Sequence, residues 1–129
     1  VLQALVLSTR ILGFVNAPAL MQRILPFMEG ASVDVSVYQN LRDRFYEMLT
    51  GLGFDVVLPR GAFYLFPKSP EPDDVAFVRR AQQEQILVVP GSGFGGPGHF
   101  RISICCTEEA IERSRSGFER LAQHYGLQD

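Results

Sequence analysis

The feature that most constrains the fold of this sequence is a seven-residue segment, Phe100–Cys106, in which apolar and polar side chains alternate. The even-numbered positions are apolar, and the odd-numbered positions are Arg101, Ser103 and Cys105. Successive side chains of a β-strand point to opposite faces, so this spacing predicts a strand with one buried face. A sheet built around such a strand takes its helices on that one face, and the sequence has to supply helices to cover it.

Two segments have the spacing and the end signals of long amphipathic helices. Asp34 is in the position of an N-cap for a helix that continues to Leu52. Thr107 caps a second helix, which Gly126 ends. Apolar residues spaced three and four apart form one buried stripe on each helix. The predicted buried positions are Tyr38, Leu41, Phe45, Met48, Leu49 and Leu52 in the first helix, and Ile111, Phe118, Leu121, Ala122 and Tyr125 in the second.

Shorter segments complete the predicted order of elements. We expect further helices over residues 1–12, 18–29 and 73–84, and strands over residues 54–58, 62–66, 86–89 and 100–106. A proline-rich turn (67–72) and a glycine-rich loop (90–98) connect them. The predicted fold class is α+β, with a small, mainly antiparallel sheet and helices packed on one face.

The composition excludes several classes of function. The 129 residues have room for one domain, and a net charge of −2 with interspersed signs gives no basic patch for nucleic acid. No apolar run approaches the ~20 residues of a membrane span. The only cysteines, Cys105 and Cys106, are adjacent and on a strand would point to opposite faces, and with His99 and His124 they make no zinc pattern. We therefore expect a cytoplasmic protein that binds no nucleic acid, membrane or metal.

The glycine-rich loop contains the G-x-G-x-x-G spacing of a dinucleotide-binding turn at residues 91–96. That motif requires a helix directly after the turn, because the helix N-terminus holds the pyrophosphate. Here Pro97, Gly98 and a predicted strand follow instead. We interpret the segment as a loop between strands, which can still lie near a ligand.

Arg101 allows two interpretations. An arginine on the exposed face of a sheet is usually a solvated charge. Alternatively, its planar guanidinium offers paired donors that match both oxygens of a carboxylate, and a strand is a stiffer support for such a group than a loop. The residues alone leave both interpretations open.

Four segments occur in an order that resembles a known family. They are RILGFVNAPALMQ at 10–22, GAFYLFP at 61–67, VVPGSGFG at 88–95 and HFRISI at 99–104. This succession is similar to the C-terminal part of class I/II aminotransferases, the aspartate aminotransferase-like branch of the fold type I enzymes that use pyridoxal phosphate. The resemblance implies an interdomain helical segment over residues 1–30, leading from a missing large domain, and a C-terminal small domain over residues 31–129.

The resemblance also implies roles for individual residues. Arg101 matches the arginine that binds the substrate α-carboxylate, so it implies a domain that closes over an amino acid. Gly61 and Phe63 match positions on the substrate side of the domain cleft, although a turn glycine and a core phenylalanine explain them equally well. Asn16 resembles part of a loop near the active site. Arg10 is better explained as a helix-surface arginine.

The family's cofactor implies residues that this chain lacks. By resemblance, pyridoxal phosphate needs a lysine that binds its aldehyde, an aspartate for its ring nitrogen and groups for its phosphate. The only lysine is Lys68, which lies in the proline-rich turn, outside the family's Ser-x-x-Lys setting. We therefore expect no catalytic residue and no bound cofactor in this chain, with the cofactor held by the large domain of the intact enzyme.

An alternative from another functional class is a free-standing α+β regulatory module that binds a small molecule. A purely structural interaction domain is a third interpretation. The apolar start, Val1–Leu7, favours a piece cut from a larger enzyme, since a free-standing module should begin with a solvated segment. An exposed apolar segment should seek another apolar surface, so we expect the chain to dimerise. The resemblance likewise implies an intact homodimer.

Overall fold

The computed structural model describes residues 1–13 and 15–127, and the chain divides into two compact units between Val33 and Asp34. The first unit contains α1 (Leu2–Ile11), α2 (Ala19–Ile24) and a 3-10 turn over Leu25–Met28. Phe14, in the predicted connection between the helices, lies outside the described residues. The domain limits expected from the resemblance, 1–30 and 31–129, stay a prediction.

The second helix is shorter than the predicted 18–29. It ends at Ile24, and Pro26 lies in the first positions of the 3-10 turn that follows. Proline has no N–H to donate to the preceding turn of an α-helix, so the α-helical hydrogen bonds cannot continue through this point. The prediction of one uninterrupted helix was wrong here.

The described part of the second unit, residues 34–127, holds three α-helices, three short strands and a 3-10 turn. In chain order the helices and strands are α3 (Val35–Gly51), β1 (Tyr64–Leu65), α4 (Asp74–Gln83), β2 (Val89–Pro90), β3 (Phe100–Ser103) and α5 (Glu108–Tyr125). The strands form one sheet in the order β1-β3-β2, and both pairs are antiparallel. The predicted α+β class with a small antiparallel sheet is confirmed.

The core of this unit lies between the sheet and the helices. Phe100 of β3 is completely buried, and its ring centroid lies 4.5 Å from that of Phe77 in α4. Phe54 packs edge-on against both Phe100 and Phe118 of α5, and so joins the sheet to the last helix. The apolar positions predicted for α3 and α5 are buried, apart from Tyr38 and Tyr125, which pack against the core while partly exposed.

The helix ends form where the sequence predicts them. Asp34 accepts a hydrogen bond from the Ser36 N–H, and Thr107 accepts one from the Ala110 N–H. Gly126 ends α5 in the left-handed conformation, with φ of +63°. These caps pair backbone groups that the first and last turns of a helix leave without a partner.

The strand predictions were too long, and one was wrong. Residues 54–58 form no strand, and the Phe54 N–H bonds back to Leu49 O as part of the end of α3. Phe54 and Val56 are buried as predicted, but Leu58 is 42% exposed, so the predicted alternation ends at Val56. The other strands begin later or end earlier than predicted. β1 starts after Ala62, whose φ of +63° interrupts an extended backbone, and β2 starts only at Val89.

The adjacent cysteines lie outside β3, contrary to prediction. The Cys106 N–H donates to Ile104 O in a tight turn after the strand has ended. Cys105 is exposed and Cys106 is half-buried, and both are free thiols. The argument that a strand separates their side chains therefore does not apply.

Candidate functional site

Arg101 lies on the face of the sheet that points away from the core. Its neighbours Phe100 and Ile102 are 0% and 5% exposed, whereas Arg101 itself is only half-buried. Val89 of β2, which pairs with Arg101 in the sheet, is exposed. The predicted alternation therefore places the guanidinium on the open face of β3, as the sequence indicates.

Two aromatic rings hold the Arg101 guanidinium. Its Cζ lies 4.3 Å from the ring centroid of Tyr64 in β1 and 3.7 Å from that of Phe94 in the glycine-rich loop. A cation over an aromatic face is attracted by the ring quadrupole, which contributes about 0.5–2 kcal/mol depending on solvation. The two contacts restrict the side chain without using its N–H donors.

Among the residues that the structure describes, Arg101 is paired with no acidic group. The arginines that form ion pairs in the described part of the chain are Arg42, Arg44, Arg113, Arg115 and Arg120. Arg101 is not among them, and its side chain donates none of the arginine hydrogen bonds found within residues 1–13 and 15–127. A guanidinium in this state keeps its paired donors available for an anion.

The glycine-rich loop that carries Phe94 is anchored to α4. The buried carboxylate of Asp74 accepts a hydrogen bond of 2.6 Å from the Ser92 N–H. Residues Gly91–Phe94 form a 3-10 turn, which Gly95 ends with a φ of +76°. A left-handed residue is easily supplied by glycine, so Gly95 lets the chain turn directly after Phe94.

Close packing also fixes the far side of this loop. A Cβ on Gly96 would lie 2.5 Å from Cε1 of Phe66, and one on Gly91 would lie 2.3 Å from Gly96 O. Phe66 in turn stacks on His99, with centroids 5.3 Å apart. These two glycines are therefore required by the packing of the loop. No α-helix follows them, since the next element is β3, and the motif lacks the helix that a dinucleotide turn requires.

Within the second unit, neither Phe63 nor Gly61 is among the residues whose rings contact the Arg101 guanidinium. The Phe63 ring packs edge-on against Tyr38 of α3, with centroids 5.1 Å apart, and its carbonyl accepts from the Ile104 N–H. Gly61 is exposed and a Cβ there would meet open space, while the left-handed residue of that turn is Ala62. Asn16 is exposed in the first unit.

Tyr64 and Phe94, the two residues that contact the Arg101 guanidinium, received no role from the sequence. Tyr64 belongs to β1, whose register places it opposite Ser103 and thus diagonal to Arg101. Phe94 is the one aromatic residue among the glycines of residues 91–96. A large aromatic side chain in such a loop indicates that the ring packs against another group, but the sequence alone does not identify that group.

The environment of Lys68 is that of a surface residue. It is exposed, its N–H donates to Asp55 O, and its backbone pairs with His99 in an isolated bridge. Within the described residues no group of three or more His, Cys, Asp or Glu side chains could hold a metal ion. Nor is any helix in the described part of the chain long and apolar enough to cross a membrane.

Among the described residues, the phenol of Tyr125 has the most strongly shifted pKa. Burial is the main cause that raises the pKa of its phenol, and the hydrogen bond to Glu71 and the charge of Glu71 raise it further. Burial also raises the pKa of the Cys106 thiol, as does the neighbouring Cys105. Neither group belongs to the Arg101 contacts described above.

Comparison with known proteins identifies related chains. A family model described as aminotransferase class I and II matches residues 13–117. An aspartate/prephenate aminotransferase of Thermus thermophilus is 40% identical over 86 residues, which are 65% of this chain and 22% of that protein.

Solved structures agree with this match. The crystal structure of an amino transferase from Eubacterium rectale has a TM-score of 0.85 and 42% identity, and the match covers 91% of this chain and 29% of that chain. An aspartate aminotransferase from Thermus thermophilus, solved with maleate, has a TM-score of 0.65 and 32% identity over 80% of this chain and 27% of that one. The chain thus spans between 22% and 29% of the length of these relatives.

Proposed function

Because this chain belongs to the class I and II aminotransferases, we propose that it binds the substrate carboxylate in an enzyme that moves an amino group between an amino acid and a 2-oxo acid. The observation that carries the proposal is the Arg101 guanidinium, which contacts the rings of Tyr64 and Phe94 on the open face of the sheet and forms no ion pair in the described residues. Amino acids and 2-oxo acids share the carboxylate next to the reacting carbon, so one guanidinium serves both.

The chemistry of Arg101 suits this role. A guanidinium donates two parallel hydrogen bonds to the two oxygens of a carboxylate, and such charge-assisted pairs are short and directional. Holding the carboxylate at two points fixes the orientation of the bonds at the α-carbon, and a misplacement of about 1 Å can cost about a hundredfold in rate. Support for a carboxylic acid as ligand comes from the Thermus thermophilus aspartate aminotransferase, which was solved with the dicarboxylate maleate.

We propose that pyridoxal phosphate is not held by the described residues. Lys68 lies in the proline-rich turn, is exposed, and has its backbone paired with His99. The cavity that it lines is open to solvent, so we propose that this lysine does not hold the cofactor aldehyde. We propose that residues of the intact enzyme outside these 129 hold this cofactor, which withdraws electrons from the α-carbon when bound. The task of this chain is then to bind and orient the substrate, and to close over it.

Gly61, Phe63 and Asn16 belong to the same proposal as residues on the substrate side. Phe63 is 47% exposed while its ring rests on Tyr38, which leaves a face of the ring available to a ligand. Gly61 has open space beside its Cα, so the substrate or a neighbouring subunit can approach the backbone there. Asn16 is exposed, and an amide side chain can both donate and accept hydrogen bonds. For the intact enzyme we propose a cytoplasmic homodimer.

The proposal is tested by replacing Arg101 in a full-length enzyme that carries this chain. We expect Arg101→Ala to raise KM for both the amino acid and the 2-oxo acid by about tenfold to a hundredfold, because a charge-assisted hydrogen bond contributes about 1.5–3 kcal/mol. Arg101→Lys should recover only part of the loss, since an ammonium cannot reproduce the two-point contact. Steady-state kinetics with both substrates measures the effect.

Arg113→Ala is the matched control. Arg113 is also an arginine of the second unit, but its side chain is 72% exposed and faces Glu109 on α5 at 3.8 Å. Its removal should leave both KM values unchanged. Unchanged KM values in Arg101→Ala, with normal folding of the variant, would show that Arg101 does not bind the substrate carboxylate.

A further inference from the structure

We propose that Tyr64 and Phe94 are positioning residues that cover the two faces of the Arg101 guanidinium, so that the site accepts a planar carboxylate and rejects a tetrahedral anion. This inference rests on the proposed function, since it describes how the same guanidinium selects its ligand. It concerns the shape of the anion and is independent of which amino acid the enzyme uses.

Cζ of Arg101 lies over the face of each ring, and from the short distances we infer that both rings also lie against faces of the guanidinium. The ring centroids are 3.7 Å and 4.3 Å from Cζ. A ring in the guanidinium plane stays further away, because the nitrogens and their hydrogens stand between it and Cζ. A flat group has two faces, and each face has room for one six-membered ring at this separation. We infer that Phe94 takes one face and Tyr64 the other.

Both rings are held by elements that do not depend on Arg101. Tyr64 lies in β1, where the pairing with Ser103 fixes its position relative to β3. Phe94 ends a 3-10 turn that the hydrogen bond from the Ser92 N–H to Asp74 ties to α4. The guanidinium therefore lies in a slot whose two walls come from separate elements, β1 and the glycine-rich loop.

A guanidinium covered in this way can bind an anion only along its edge. A carboxylate is planar, so both of its oxygens fit the fork while its carbon stays in the same plane. A sulfonate has three oxygens, and when two of them meet the fork the third projects out of the plane toward one of the rings. The face of an aromatic ring is negative, so it repels that oxygen. The slot therefore favours carboxylate over sulfonate of the same charge.

The test uses acetate and methanesulfonate, two monoanions that differ in this geometry. Each is titrated into the 129-residue chain at constant ionic strength, and the Nε–H signals of the arginines are followed by NMR. We expect the acetate-to-methanesulfonate affinity ratio at Arg101 to exceed the ratio at Arg79 by about threefold or more. Arg79 is the internal control, because it is exposed on α4 and stacks on no aromatic ring in the described residues.

Variants assign the selectivity to the rings. Phe94→Leu and Tyr64→Leu each remove one wall, and we expect the ratio at Arg101 to fall toward that at Arg79. Phe94→Tyr and Tyr64→Phe keep the rings and should keep the ratio. Leu87→Ala is the matched control, since Leu87 is 84% exposed and outside the slot. Equal ratios at Arg101 and Arg79 in the native chain would overturn the inference, and this comparison needs no variant to fold.

The two proposals fail in different ways. If Arg101→Ala raises KM in the full-length enzyme while the NMR ratios at Arg101 and Arg79 are equal, the carboxylate role stands and the slot is refuted. If Arg101→Ala leaves KM unchanged, the carboxylate role is refuted, and with it the inference as stated here.

Discussion

For Arg101, the sequence predicts the direction of the side chain but not the groups that it contacts. Its direction, away from Phe100 and Ile102, follows from the two-residue period of a strand, and the structure confirms it. Its aromatic contacts do not follow, because Tyr64 and Phe94 lie in separate segments whose approach depends on sheet register and on the Asp74 anchor. Local spacing determines a face of a strand, while long-range packing determines what that face contacts.

Tyr125 is a single residue from which we expect a pH dependence of the free energy of unfolding. Its raised pKa means that the folded chain holds the phenol proton more tightly than the unfolded chain does. Above about pH 10, where an unfolded tyrosine loses its proton, the unfolded state therefore binds fewer protons and becomes relatively more stable. We expect the free energy of unfolding to fall as pH rises through this range, and to fall less in Tyr125→Phe.

Urea unfolding at a series of alkaline pH values measures this slope. Glu71→Gln is the matched comparison, because it removes the charge next to the phenol while burial, the larger cause, remains. Its slope should lie between those of the native chain and Tyr125→Phe. Identical slopes in the native chain and Tyr125→Phe would show that Tyr125 does not contribute to the alkaline loss of stability.

At the scale of elements, helices were easier to predict than strands. The caps at Asp34 and Thr107 and the stop at Gly126 are local signals, and the structure uses all three. The strands needed partners, and the segment after α3 shows this, because Phe54 and Val56 are buried although no strand forms there and the Phe54 N–H serves the end of α3. Alternation therefore indicates which side chains are buried, and pairing has to be established separately.

The packing of α5 against the end of α4 gives a second prediction. Gly117 lies in the middle of α5, where alanine would normally favour the helix. A Cβ at this position would lie 2.8 Å from both Glu84 O and Cδ1 of Ile86. We expect Gly117→Ala to lower the free energy of unfolding by about 1–3 kcal/mol, the usual cost of overpacking.

Gly51→Ala is the control for that substitution. Gly51 ends α3, and a Cβ there would meet no atom within 4 Å. It should therefore show the opposite sign, a gain of up to about 1 kcal/mol from helix propensity alone. Denaturant unfolding of the two variants measures the contrast, and a stabilised Gly117→Ala would mean that α5 is not packed this closely on the turn after α4.

At the scale of the whole molecule, the first unit presents apolar side chains to solvent. Leu2 and Ile11 of α1 are 76% and 74% exposed, and Leu25 and Phe27 of the following segment are 66% and 89% exposed. Exposed apolar surface of this kind favours association. We expect the 129-residue chain to dimerise as its concentration rises, and the double variant Leu2→Glu with Ile11→Glu to shift it toward the monomer.

Gel filtration across a range of concentrations measures this association. Exchanging two exposed charges on α5, Glu109→Lys with Arg113→Glu, is the control, because it alters the surface without removing apolar area. A single monomer peak at high concentration in the native chain would contradict the expectation.

The proposed role of Arg101 involves all three scales, because β3 orients the side chain and the reaction takes place in the intact enzyme. The most direct test is a crystal structure of the full-length enzyme with a carboxylate inhibitor bound. The account predicts two guanidinium nitrogens of Arg101 at about 2.7–2.9 Å from the two oxygens of one carboxylate, with Tyr64 and Phe94 still against the guanidinium. An inhibitor whose carboxylates all bind elsewhere, with Arg101 paired to an acidic side chain of the enzyme, would contradict it.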